Sequence, residues 1–195
     1  MSPLAGLVYS AALLLGAAGV GKAVSPGATR IALRSAGLPA TQLVARSLGV
    51  AEVLIALAAL VAGGPVAAGL VAASYLGFAG FARRLDTKTR GSAPCGCFGA
   101  SSAPVGTLHV VLNLLIAVGV GIAAIDAPGP IWDAAGDTPW AGLPFVGLIV
   151  LLTWMLYVAL TALPEALAAA KAPAPNAASG PTISLTTSSS AGAPS

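Results

Sequence analysis

What most narrows the architecture of this chain is the length of its apolar runs. Crossing the hydrocarbon core of a bilayer as an α-helix takes about 20 apolar residues, and five segments approach that length. The first runs from Leu4 to Gly21 and ends at Lys22. The second runs from about Leu43 to Ala62, with Arg46 near its start and Glu52 inside it. The third runs from Pro65 to Ala82 and stops at Arg83-Arg84. The fourth runs from about Val105 to Ile125 and the fifth from Ala141 to Leu163. The runs are continuous rather than alternating, which favours helices over barrel strands. The expected fold class is all-α: a polytopic transmembrane helical bundle over residues 1–165, with a four-helix core plus a fifth helix.

Composition agrees. Only 8% of the residues are charged, against about 25% in a soluble domain. With 5% aromatic residues, the apolar mass is Ala, Leu, Val and Gly, which suits close packing of small residues between helices. Gly16, Gly19, Gly21, Gly77 and Gly80 are candidate close-contact positions. The net charge of +3 comes from a few clusters, too sparse for a nucleic-acid surface. The expected location is therefore the cell's inner or plasma membrane, with membrane lipid as the surrounding partner.

The connections differ in character. Residues 23–42 form a polar link with room for a short interfacial helix carrying Arg30 and Arg34. "AGGP" alone joins the second and third runs, which must form an antiparallel hairpin. Residues 126–140 carry three aspartates with Trp132 and Trp140, residues that suit the interface. From residue 166 onward, and most clearly after Lys171, the chain is an Ala/Pro/Ser/Gly/Thr-rich tail, expected to be disordered. The first run has no basic residue before it and exceeds a signal-peptide core, so it reads as a retained helix. Basic loops stay in the cytoplasm. Lys22, Arg30, Arg34 and Arg46 follow the first run, and Arg83, Arg84, Lys88 and Arg90 follow the third. Five spans then put the N-terminus outside and both basic loops and the tail inside. Lys22, Arg46, Cys95, Cys97 and His109 share one face under either orientation.

Both cysteines of the chain lie in "GSAPCGCFGA", residues 91–100. A C-x-C pair closes only if the backbone bends sharply, and Gly96 bends without steric cost. Such a small ring is strained and easily reduced, and basic neighbours favour the reactive thiolate. Thiol–disulfide exchange, two incidental loop cysteines and a metal site are the three readings. The last would need about four ligands, hence a dimer or an outside ligand, and no metal is assigned. Room is left for a homo-oligomer.

Glu52 lies about nine residues into the second span, roughly 14 Å below the cysteine face at 1.5 Å per residue. An ionisable group at that depth faces a bundle interior or a water cavity. It reads as a proton donor or acceptor, as a polar anchor for a ligand, or as a structural hydrogen bond between helices, and burial favours its neutral form unless Lys22 or Arg46 pairs with it. Its neighbours Leu48, Gly49, Ile55 and Ala56 leave one side small enough for a close helix partner. His109 and Asn113 lie four apart on one helix face. His109 could tune a thiolate or shuttle a proton, or be an ordinary interfacial residue; Asn113 reads as a hydrogen bond between helices.

In order along the chain, "AGVGKAVSPG", "GVAEVLIAL", "CGCFG" at Cys95–Gly99 and "HVVLN" at His109–Asn113 resemble the MauE family of methylamine-utilisation membrane proteins, allied to the DoxX-like group. The resemblance spans roughly residues 4–125. It implies a helical-bundle membrane protein whose name-giving members act in maturation or export of the disulfide-rich small subunit of methylamine dehydrogenase. It also implies that the CGC pair is the thiol site, with Glu52 and Lys22 as its membrane-embedded support. The function expected is that of a thiol–disulfide oxidoreductase working between a thioredoxin-like or other thiol protein and a second protein or a membrane quinone. Cys95 and Cys97 would exchange, His109 would tune the thiolate and Glu52 would manage a proton. The alternative is a non-catalytic membrane chaperone or transporter subunit.

Overall fold

The computed structural model describes residues 4–90, 93, 105–136 and 139–171, and among them there is no strand. The helices are α1 (Ala5–Val24), α2 (Gly27–Ser35), α3 (Gln42–Val61), α4 (Gly64–Thr89), α5 (Thr107–Ala123), α6 (Ile131–Gly136) and α7 (Pro139–Lys171). A 3₁₀ turn, Ala124–Asp126, closes α5. Among the described residues five helices are long and apolar enough to span a bilayer, as the five runs anticipate, because lipid offers no partner for a backbone amide and each span must satisfy its own.

α1, α3, α4 and α5 form the core, α1 packing chiefly on α3 and α4 on α5. α7 lies against α1: Ser10 Oγ donates to the Ile149 carbonyl at 3.2 Å, and the Tyr9 and Phe145 rings meet edge to face at 6.1 Å. Much of the packed interior is alanine, including Ala11, Ala12, Ala59, Ala67, Ala68 and Ala117. Leu54, Leu57, Leu76, Val118, Leu148 and Leu151 face outward. An outward apolar face is costly in water but native to lipid, where helices associate through small-residue packing.

The two ends of the bundle are tied differently. At one end Gly63 takes φ +66°, and a Cβ there would run into the carbonyl of Gly129, so the hairpin turn needs glycine. Gly64 N–H donates to the Pro128 carbonyl at 2.9 Å, and Tyr9 Oη donates to that of Gly129 at 2.9 Å. At the other end the short basic helix expected in the first link is α2, which precedes α3; Thr41 caps α3, its hydroxyl accepting from Val44 N–H at 3.2 Å. Arg84 Nε donates to the Ala36 carbonyl at 2.8 Å.

Two boundaries move. α4 does not stop at Arg83-Arg84 but continues to Thr89, because charge marks where the lipid ends, not where helical hydrogen bonding must. α7 continues through residues 166–171; the tail beyond Lys171 lies outside the described residues.

Candidate functional site

Each of the first two spans carries a charged residue with a glycine three positions before it: Gly19 before Lys22, and Gly49 before Glu52. Residues three apart lie on the same helix face. α1 and α3 cross antiparallel along these faces, Gly16 meeting Ala56, Gly19 meeting Glu52, and Lys22 meeting Gly49. The backbones are close. A Cβ on Gly19 would lie 2.6 Å from the Gly49 carbonyl oxygen, and one on Gly49 would lie 2.8 Å from the Ala23 nitrogen. Gly16 is also a contact position, whereas Gly21, Gly77 and Gly80 have open space where a Cβ would stand. Gly49→Val is therefore expected to cost roughly 1–3 kcal/mol by overpacking. Gly21→Ala should be neutral or stabilising, since alanine is the better helix former by about 1 kcal/mol. Unfolding midpoints in detergent compare the two.

The close crossing joins the charges. Lys22 Nζ donates to Glu52 Oε2 at 2.7 Å, with both residues about 95% buried. The Phe78 ring of α4 lies under the ammonium, 5.0 Å from Nζ to the ring centroid, a cation–π distance. Lys22 thus lies within the last turn of α1 rather than beyond its end. Arg46, the other cation weighed as a partner, is exposed; six residues before Glu52, it lies on a different face of α3.

Beside the pair is a cavity of about 380 Å³ bounded by α1, α2, α3 and α4. Its walls are apolar, including Leu33, Leu38, Ile55, Phe78 and Phe81, and its polar groups are Lys22, Glu52, Thr29 and Ser74. This is the size and make-up of a ligand pocket: mostly apolar, with few convergent polar groups.

A family model described as "Methylamine utilisation protein MauE" matches residues 2–126. The chain belongs to the MauE family. Neither a curated protein nor a solved structure matches it. The MauE match runs from α1 to the 3₁₀ turn after α5, so it contains the ion pair and the whole cavity wall, and leaves α6 and α7 outside.

The remaining site residues separate from the pair. His109 and Asn113 are buried on α5 and do not line the cavity. Asn113 Nδ2 donates at 2.7 Å to the carbonyl of His109. That bond lies within α5, not between helices: a carbonyl one turn earlier on the same face is the nearest acceptor. Among the described residues His109 Nδ1 is buried without a hydrogen-bond partner, and the backbone of Leu160 on α7 lies beside the imidazole. Cys95 and Cys97 fall outside the described residues, but both ends of their segment are described. Val105 N–H donates to the Ala93 carbonyl at 3.0 Å. Both residues are buried in a cluster with Ala32, Ala36, Ala82 and Leu85, flanked by Leu38 and Phe81. Among the described residues no group of three or more His, Cys, Asp or Glu side chains is arranged to hold a metal.

Sequence reasoning missed Phe78 and the part α2 plays through Thr29 and Leu33. Phe78 carries no local signal, since an aromatic in an apolar span reads as lipid-facing or core. The matched glycine-to-charge spacing on two consecutive spans was a usable signal for the pair.

Proposed function

We propose that this MauE-family membrane protein is a thiol–disulfide component, with Cys95 and Cys97 as the exchanging pair, that assists maturation or export of a partner protein. By resemblance to the family's name-giving members the client is an enzyme subunit rich in disulfides. On our reading the exchange runs between a thioredoxin-like or other thiol protein and a second protein or a membrane quinone. The DoxX-like kinship belongs to the same proposal.

One observation supports the reading above the others. The ends of the CGC segment are tied together and packed into the cluster whose Ala32, Leu38 and Phe81 also wall the cavity holding Lys22 and Glu52. Closing a disulfide releases two electrons and two protons, and a carboxylate–ammonium pair at the foot of that cavity is a place to hold one of the protons. His109, four residues beyond Val105, retains the role of tuning a thiolate.

Alkylation of membranes after mild reduction and mild oxidation tests the exchange. Both cysteines should move together between labelled and protected states. Labelling that ignores the redox treatment would refute it. A membrane-impermeant maleimide applied to intact cells reports the face: the basic loops predict no labelling without permeabilisation.

The second reading, a chaperone or transporter subunit, draws on the cavity itself, which has the size and polarity of a ligand path independent of any thiol.

A further inference from the structure

We propose that the cavity between α2, α3 and α4 binds the ring of a quinone-class lipid, entering from the bilayer and seated with a carbonyl oxygen on Lys22. The inference deepens the thiol–disulfide reading and rests on it for the ligand's role, though not for its binding.

The route in follows from how the helices pair. α1 packs on α3 and α4 packs on α5, while α3 and α4 meet less closely. The cavity lies between these two pairs. Leu48 and Ala51 on α3 and Gly77 on α4 line it and are also exposed on the outer surface of the bundle. All three belong to membrane-spanning helices, so a ligand reaching the cavity between them comes from the lipid phase.

The chemistry of the ligand follows from the walls. Phe78 and Phe81 offer aromatic surface to a flat ring, and Leu33, Leu38, Leu48 and Ile55 offer hydrocarbon surface to a tail. At the polar end the charges are already paired, Lys22 on Glu52 at 2.7 Å, so the site as a whole is neutral. A carboxylate or phosphate head would meet Glu52 as a like charge, and a cationic head would meet Lys22. A neutral acceptor suffers neither repulsion. An ammonium carries three donors and can give one to Glu52 and another to a carbonyl oxygen, in a charge-assisted bond stronger than a neutral one. A lipid-soluble, neutral, flat, carbonyl-bearing ring is a quinone. Its reaction with a dithiol balances without a further reagent: two thiols become a disulfide, and the two electrons and two protons convert the quinone to the quinol.

The test uses the full chain in phosphatidylcholine nanodiscs and an azido-ubiquinone bearing a short tail. Photolabelling should fall on the peptides around residues 48–55 and 74–81, and decylubiquinone should compete where an equal excess of oleate does not. Gly77 has open space at its Cβ position, so Gly77→Leu fills the opening without a backbone clash and should cut labelling about tenfold. If that variant does not fold, Leu48→Trp narrows the same opening from α3 and should give the same loss. Replacing both charges, Lys22→Met with Glu52→Met, removes the donor and should also weaken binding about tenfold. Labelling spread evenly over the lipid-facing surface, labelling unchanged by the filling variants, or oleate competing as well as the quinone would each overturn the proposal. Cys95→Ser with Cys97→Ser keeps the two ideas apart. Labelling should persist in that chain, so loss of quinone binding and loss of thiol cycling are read separately.

Discussion

Lys22→Met alone should leave the bundle severely weakened, while Lys22→Met together with Glu52→Met should restore it. The single substitution keeps most of the unbranched side chain and leaves a carboxylate buried about 95% with no cation in reach among the described residues, since Arg46 is exposed on another face of α3. Breaking a buried pair by removing one partner costs about 3–5 kcal/mol, a large share of the roughly 5–15 kcal/mol that holds a domain together. Removing both partners takes away the desolvation penalty as well as the attraction, and such replacements are often neutral or stabilising by about 1–4 kcal/mol. Unfolding in detergent, read for the two single variants and the double, gives the coupling directly. If Lys22→Met costs less than about 1 kcal/mol, the pair is not an energetic unit and Glu52 has another partner. A stable but inactive double variant would show that the charges are kept for what they do and not for the fold.

The parts of this protein legible in sequence are those that the bilayer dictates. Span count, the α3–α4 hairpin and the short basic α2 follow from hydropathy, from "AGGP" and from Arg30 and Arg34, because lipid allows few alternatives to a helix. That Glu52 lies well inside α3 and turns into the bundle was equally readable from its position in the second run. Its partner was not decided: Arg46 lies six residues away on α3 itself and Lys22 at the end of α1, and the choice depends on which face of α3 meets α1. That face is set by Gly49 and Gly19, whose lack of side chains permits the crossing. The cavity could not be read because it is a gap between two helix pairs, and no residue's identity announces the space beside it. Asn113 misled for a simpler reason. Asparagine in a span can bond across helices or back along its own, and the packing around it decides which.

The largest functional effect is expected at the cysteines. Cys95→Ser with Cys97→Ser, introduced into the native gene, should reproduce the phenotype of deleting the gene while leaving the amount of protein in the membrane unchanged. Serine keeps size and polarity but cannot exchange disulfides, so a docking or structural role for the segment would survive the change. Glu52→Gln keeps the shape of the side chain and removes its charge; under the thiol reading it should slow the protein without silencing it, since a proton can be delivered by slower routes. The chaperone or transporter reading inverts both results, with Glu52→Gln silent and the double serine chain fully active. A single Cys95→Ser or Cys97→Ser sharpens the contrast. A thiolate that attacks a partner's disulfide forms a mixed disulfide, and with its neighbour gone the resolving step within the pair is lost. One of the two single variants should therefore accumulate a covalent adduct, seen as a slower band that reductant removes, and mass spectrometry of that band would identify the client. No adduct in either variant, with normal growth of the double mutant, would end the redox interpretation and leave the Lys22–Glu52 cavity as the functional centre.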